Sequence, residues 1–236
     1  MGYYIFFMHI SNDSLDKLII ASFSALFALV IAQISIALRN YLYTNKIMKL
    51  LREELKDLEV ETTRVLYSYA RALQLYALNG IEPSAVVGLS NPIYTSYYKD
   101  ALLALRQKQR ISLQLIHGLV AVHNKNLERY QDRNEEVIKD FRDNGLTEKT
   151  SKAAEELITM VKHGYANCAI IKWHIRHHLN YRNPDLSVGT NHHKEYLKFM
   201  ESVSDEIERT INSGVTIPRE KFEKVYSEEW FKGGGG

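Results

Sequence analysis

The sequence predicts an all-α protein in which a single N-terminal transmembrane helix continues into a coiled-coil stalk and a cytoplasmic helical bundle. Three observations carry that prediction. Residues Leu18 to Leu38 are 21 consecutive positions without a charged side chain. Apolar residues from Leu51 to Tyr76 then recur at alternating spacings of 4 and 3. No long stretch alternates apolar and polar residues as a strand would, and only four prolines interrupt 236 residues.

The first element is the span. A helix rises about 1.5 Å per residue, so this stretch reaches roughly 31 Å, the thickness of a bilayer's hydrocarbon core. A buried core helix is usually shorter and keeps a polar face. A cleaved signal peptide wants a basic start and a short apolar core, whereas Asp13 and Asp16 precede this one. A myristoyl anchor fails at Phe6, where Ser or Thr is expected after Gly2. Lys17 alone is basic before the span, and Arg39, Lys46, Lys49 and Arg52 follow it. Positive charge stays on the cytoplasmic side, so the expected topology is single-pass in the inner membrane, N-terminus out and C-terminal domain cytoplasmic. Tyr3, Tyr4, Phe6 and Phe7 before the span, with Tyr41 and Tyr43 after it, suit the interfacial aromatic belts.

The span carries two stripes. Ala21, Ala25, Ala28, Ala32 and Ser35 recur at spacings of 4, 3, 4 and 3, which lets helix backbones approach closely in lipid. Gln33 and Ser22, eleven residues apart, share a neighbouring face. A Gln in lipid wants a polar partner or water. The bland alternative is a Gln bonded to its own backbone; the sharper one is a homo-oligomer whose centre is lined by Gln33 and Ser22.

The stalk follows over residues 41–78. Leu51, Leu55, Leu58, Thr62, Val65, Tyr69, Ala72 and Tyr76 form the seam, with charges such as Arg52, Glu53, Lys56 and Asp57 between them. One helix is expected from about Ser14 to Leu78, stopped by Asn79-Gly80. Residues 79–145 hold a loop and a second long helix from Pro92 to Asp143 that packs on the stalk as a hairpin. Its expected seam is Tyr98, Leu102, Leu105, Ser112, Ile116, Leu119, Leu127 and Phe141. Residues 146–232 form a C-terminal helical domain. A third helix starts near Thr147 and stops before Asn183-Pro184; a fourth runs from Asn191 to Asn212 and ends at Ser213-Gly214. A fifth opens at Thr216-Ile217-Pro218 and carries Phe222, Val225, Trp230 and Phe231. The glycines at 233–236 read as a linker outside the fold.

Net charge is +2, so no overall field implies nucleic acid, and any such argument must be local. The single Cys168 forms no internal disulfide, which fits a cytoplasmic domain. The strongest local feature is the segment from Lys172 to Arg182, with three permanent positive charges, three His and two large aromatics, and no acid. Lys and Arg attract phosphates, while Trp and Tyr faces stack bases. Lys172, Trp173, Arg176, His177, Tyr181 and Arg182 are therefore the candidate ligand-binding residues. The competing reading is a solvated basic helix end, where cations suit the dipole. His174, His177 and His178 share one face, with His192 and His193 near in sequence. The flanking cations and the missing carboxylate argue against a metal, and none is expected. Cofactor motifs are also lacking: there is no phosphate-cradling glycine loop, no His-Glu-x-x-His and no nucleophile elbow. Glu155-Glu156 and Glu228-Glu229 read as solvated helix faces.

Two resemblances bear on function. Arg110 with His117, an Arg-x6-His spacing, faintly resembles the catalytic pattern of HEPN ribonucleases, although Ile111 stands where that family usually has a polar residue. In its layout of span, stalk and cytoplasmic helical domain, the chain resembles membrane effectors of bacterial antiphage systems, and most of all the Hailong-type channel effector. That resemblance implies a non-enzymatic homo-oligomeric ion channel held shut by single-stranded DNA oligomers made by a partner nucleotidyltransferase. The expected partners are then the bilayer, further copies of the chain (as in a tetramer), the nucleotide or DNA signal, and that transferase. The rival classes are a membrane-anchored scaffold or adaptor and a HEPN-like nuclease.

Overall fold

A computed structural model describes residues 12–78, 80, 84, 86–181 and 185–216, with backbone alone at 12–15 and 214–216. The regular structure of these residues is helical throughout, with no strand. The elements are α1 (Asn12–Ala77), α2 (Pro92–Ala101), α3 (Gln107–Asn144), α4 (Glu148–Asn180) and α5 (Asn191–Thr216). The chain divides into two compact units, Met1–Met48 and Lys49–Gly236.

In the first unit, every side chain of α1 from Asp16 to Tyr43 is exposed. Its large apolar residues between Leu18 and Leu38 are bare, from Ile19 at 47% to Phe23 at 70% of their surface. This helix is long and apolar enough to cross a membrane.

In the second unit, the expected seam is the core. Leu51, Leu55, Leu58, Thr62, Val65, Tyr69, Ala72 and Tyr76 are all buried. They are covered by helices of the same chain, so the 4–3 spacing that reads as a coiled coil here serves intramolecular packing. Tyr69 lies edge-on to His123 of α3, with ring centroids 5.9 Å apart. Across from it, α4 passes so close that a Cβ on Gly164 would lie 2.4 Å from the Tyr69 ring. Gln74, fully buried, donates from Nε2 to Ser213 Oγ of α5 at 2.8 Å.

The second long helix differs from the sequence reading. It is interrupted at Leu102–Arg106, between α2 and α3. The segment Leu-Leu-Ala-Leu-Arg holds no Gly or Pro, so no local signal predicts the break. The break is held by a side chain of the first turn of α3. Arg110 Nη1 donates to the carbonyls of Leu102 at 3.3 Å and Leu105 at 2.8 Å, serving oxygens that a continuous helix would bond itself. Glu54 of α1 then caps the short α2: its carboxylate accepts from the amides of Ile93 at 2.5 Å and Tyr94 at 2.9 Å. Of the expected seam, Tyr98, Leu105, Ser112, Ile116 and Leu127 are buried, whereas Phe141 is 49% exposed.

The start of α4 follows its sequence. Thr147 Oγ1 accepts from Thr150 N at 3.1 Å, and Thr147 N donates back to Thr150 Oγ1 at 2.7 Å, a reciprocal cap. Helix α5 runs to Thr216, one turn past the expected stop at Ser213-Gly214. The expected fifth helix, with Phe222, Val225, Trp230 and Phe231, lies outside the described residues, as do residues 1–10.

The close approach at Gly164 gives a direct test. Gly164→Ala should lower the unfolding free energy by about 1–3 kcal/mol, because the new methyl must displace a buried aromatic ring. Denaturant titration of the detergent-solubilised chain measures it. A stability equal to wild type would show that the α1–α4 approach is looser than described.

Candidate functional site

The basic-aromatic segment forms the C-terminal third of α4, which ends at Asn180 as Tyr181 turns extended, φ −112° and ψ 126°. Successive helical residues are about 100° apart, so Lys172 and Trp173 leave the helix on different sides. The structure divides the candidates accordingly.

The charges face α1. Arg176, one turn beyond Lys172, donates from Nε to Glu59 Oε1 at 2.6 Å while most of its side chain stays exposed. Lys172 is half-buried, and burial, reinforced by the Arg176 charge, pulls its ammonium pKa below the usual lysine value. Arg52 of α1 donates from Nη2 to Leu179 O at 3.3 Å, at the carbonyl end of α4 where a cation is favoured.

The rings face α5. His177 is stacked flat on Trp173, centroids 5.0 Å apart and planes 6° from parallel. Tyr196 and Phe199 of α5 flank the indole at 5.0 and 6.0 Å. His192 meets His177 at 4.8 Å and Tyr181 at 4.2 Å. Neighbouring rings thus cover part of Trp173, whereas Tyr181 stays 41% exposed, and the cluster joins α5 to α4. Arg182 lies outside the described residues.

The histidines divide in the same way. His174 belongs to the aromatic cluster, 5.2 Å from both Trp173 and Tyr196. His178 turns toward α3, its Nδ1 2.9 Å from Ser112 Oγ. His177 Nε2 is buried without a hydrogen-bond partner. Among the described residues no group of three His, Cys, Asp or Glu is arranged to hold a metal ion.

Arg110 and His117 also have structural partners. Arg110 supports the α2–α3 corner described above. His117 is buried, stacked on Tyr94 at 3.6 Å, and its Nδ1 lies 2.9 Å from Asn91 Nδ2. The amide donates, so Nδ1 accepts and Nε2 carries the proton. That nitrogen is buried without a hydrogen-bond partner, 4.0 Å from a Glu54 oxygen. Sequence reasoning misses this node of Glu54, Asn91, Tyr94 and His117, because its members are up to 63 residues apart. A second one joins Cys168 Sγ to His123 Nδ1 at 3.5 Å beneath Tyr69, with burial pushing the thiol up and the imidazole down.

On the span, Ala21, Ala25, Ala28, Ala32 and Ser35 form one exposed stripe, and Ser22 and Gln33 another, all on one unbroken helix. No protein-family model, no curated protein and no solved structure matches this chain.

Two predictions follow from the α4 environment. Trp173→Ala should destabilise the helical unit by about 3 kcal/mol, since the indole is the centre of a packed ring cluster. The melting temperature reads it, and an unchanged value would mean that the indole is free for a ligand.

The second concerns acid. Burial lowers His123, His174 and His178 to about 4 and His117 to about 3, from an ordinary 6.5. As pH falls below about 6.5 the unfolded chain takes up protons that the folded chain refuses until about pH 4. Stability is therefore complete above pH 6.5 and declines steadily toward pH 4. His177, whose pKa burial also lowers, adds to the decline, and Glu54, whose pKa burial raises, opposes it. Denaturation midpoints across pH 4 to 8 measure the slope; a flat profile down to pH 5 would contradict the burial of these imidazoles.

Proposed function

We propose that this chain is a single-span inner-membrane effector that self-associates through its span, forms an ion-conducting pore, and is gated by an anionic nucleotide or oligonucleotide bound to its cytoplasmic helical unit, in antiphage defence. One observation carries the reading: twelve large apolar side chains between Leu18 and Leu38 are exposed on a helix with no charge among them. Insertion with the N-terminus out follows from the basic residues Arg39, Lys46, Lys49 and Arg52 after the span. The small stripe from Ala21 to Ser35 supplies the close helix–helix contact, and Gln33 and Ser22 supply the polar lining.

On the helical unit, Lys172 and Arg176 are the residues assigned to the ligand. The two cations lie one turn apart beside the carboxylate of Glu59, which pairs with Arg176, so a phosphate binds here by taking the place of that carboxylate. Trp173 and His177 hold that face in position by packing on α5.

The test is conductance of the full chain in planar bilayers. Wild type should give discrete currents, Gln33→Leu should abolish them or change their size, and single-stranded oligonucleotide on the domain side should alter the open probability. Arg176→Ala should lose the oligonucleotide response and keep the currents. Protein that inserts but conducts nothing would make the span an anchor and favour a scaffold.

A further inference from the structure

We infer that the cytoplasmic end of the span carries a binding site for the headgroup of an anionic phospholipid, with Arg39 and Lys46 as its charged arms. The inference rests on the reading of α1 as a membrane span.

Ser35, Leu38, Arg39, Leu42, Tyr43 and Lys46 line one open groove of about 500 Å³ on the surface of α1. Arg39, Tyr43 and Lys46 are spaced 4 and 3 apart, so they form one stripe, with Ser35 one turn before it. Leu38 is the last residue of the uncharged run, which puts Arg39 at the hydrocarbon boundary. Lys46 is about 10 Å further along the axis. Its Cα–Cβ bond tilts toward the helix N-terminus, as in every α-helix, and that direction is back toward the membrane. The two cations therefore bracket the level of Tyr43, which is the depth of the headgroup phosphates.

Charge points to the sign of the occupant. No Asp or Glu occurs between Lys17 and Arg52. Both Arg39 and Lys46 are exposed, and neither is in an ion pair among the described residues. The apolar walls Leu38 and Leu42 suit the upper acyl chain, and Ser35 offers a hydroxyl below the phosphate. An arginine and a lysine flanking an apolar slot fit a phosphodiester whose other end is lipid better than a soluble anion, which has no use for the slot.

The test uses the full chain in vesicles of phosphatidylcholine with a minor fraction of spin-labelled phosphatidylglycerol or, separately, spin-labelled phosphatidylcholine. Flotation with the vesicles is measured first; protein that does not float overturns the span reading and this site together. For floated protein, wild type should hold the anionic probe at its surface in preference to the neutral one. Arg39→Gln and Lys46→Gln should each lower that preference about fivefold, while Lys49→Gln leaves it nearly unchanged. Equal losses for all three variants would mean diffuse attraction to the surface, and no preference in floated wild type would mean no site; either overturns the inference while the span stands. Excess glycerol phosphate, compared with chloride at equal ionic strength, should not displace the lipid probe, and full displacement would make a soluble anion the occupant.

Discussion

Three helices of the second unit meet on the ring of Tyr69, and their packing depends on that ring's having room. Gly164 on α4 provides it: any larger residue would put a carbon inside the ring's contact distance. His123 of α3 closes the other side edge-on, and Cys168 of α4 rests against the imidazole. The thiol, the imidazole and the phenol are each held in their neutral forms by burial. A cysteine beside a histidine would suggest nucleophilic chemistry at a surface. Here both are sealed, and neither ionises readily enough to act as thiolate or base.

Around that apolar centre the corners are fixed by polar groups reaching across the sequence. Glu54 satisfies two amides at the start of α2, an N-terminus whose own Asn91 makes no side-chain cap bond and instead turns to His117. Arg110 satisfies the carbonyl of Leu102, which ends the same short helix, and that of Leu105 within the break. Both ends of α2 are thus closed by charged side chains from other helices. In a low-dielectric interior such bonds are strong when made and expensive when broken, which gives α2 one position rather than several. Arg110 and His117, seven residues apart on α3, each serve one end of this arrangement.

How much was legible follows from the same division. The α1 seam was readable because eight core positions keep a strict 4–3 rhythm, and the end of α4 because Pro184 follows it. The α2–α3 break was not, since Leu102 to Arg106 are good helix formers and the deciding atom belongs to Arg110. The segment after Lys172 was readable as basic and aromatic, but not as divided. Composition counts charges and rings; only the packing of α5 decides that the rings turn inward while Arg176 turns to Glu59. Nodes such as Glu54 with His117 leave no trace in a periodic pattern, because a buried polar residue looks like an interruption of the seam.

The exposed half of α1 raises a different question, namely what kind of surface covers it. A helix that docks in a protein groove has one apolar stripe and a polar back. This one is apolar all round: Leu18, Phe23, Leu26, Phe27, Val30, Ile31 and Ile34 point in different directions, and all are bare. Leaving a large apolar side chain in water costs about 1.5–3 kcal/mol. A dozen of them together outweigh the 5–15 kcal/mol that holds a typical domain folded. One partner helix would cover a single side and leave most of that cost in place. An apolar solvent covers every side at once, and the interruptions, Gln33, the serines and the small stripe, include the features that lipid-embedded helices use to find one another. The distribution of apolar residues around the helix, more than their number, is therefore what favours a bilayer over a soluble partner.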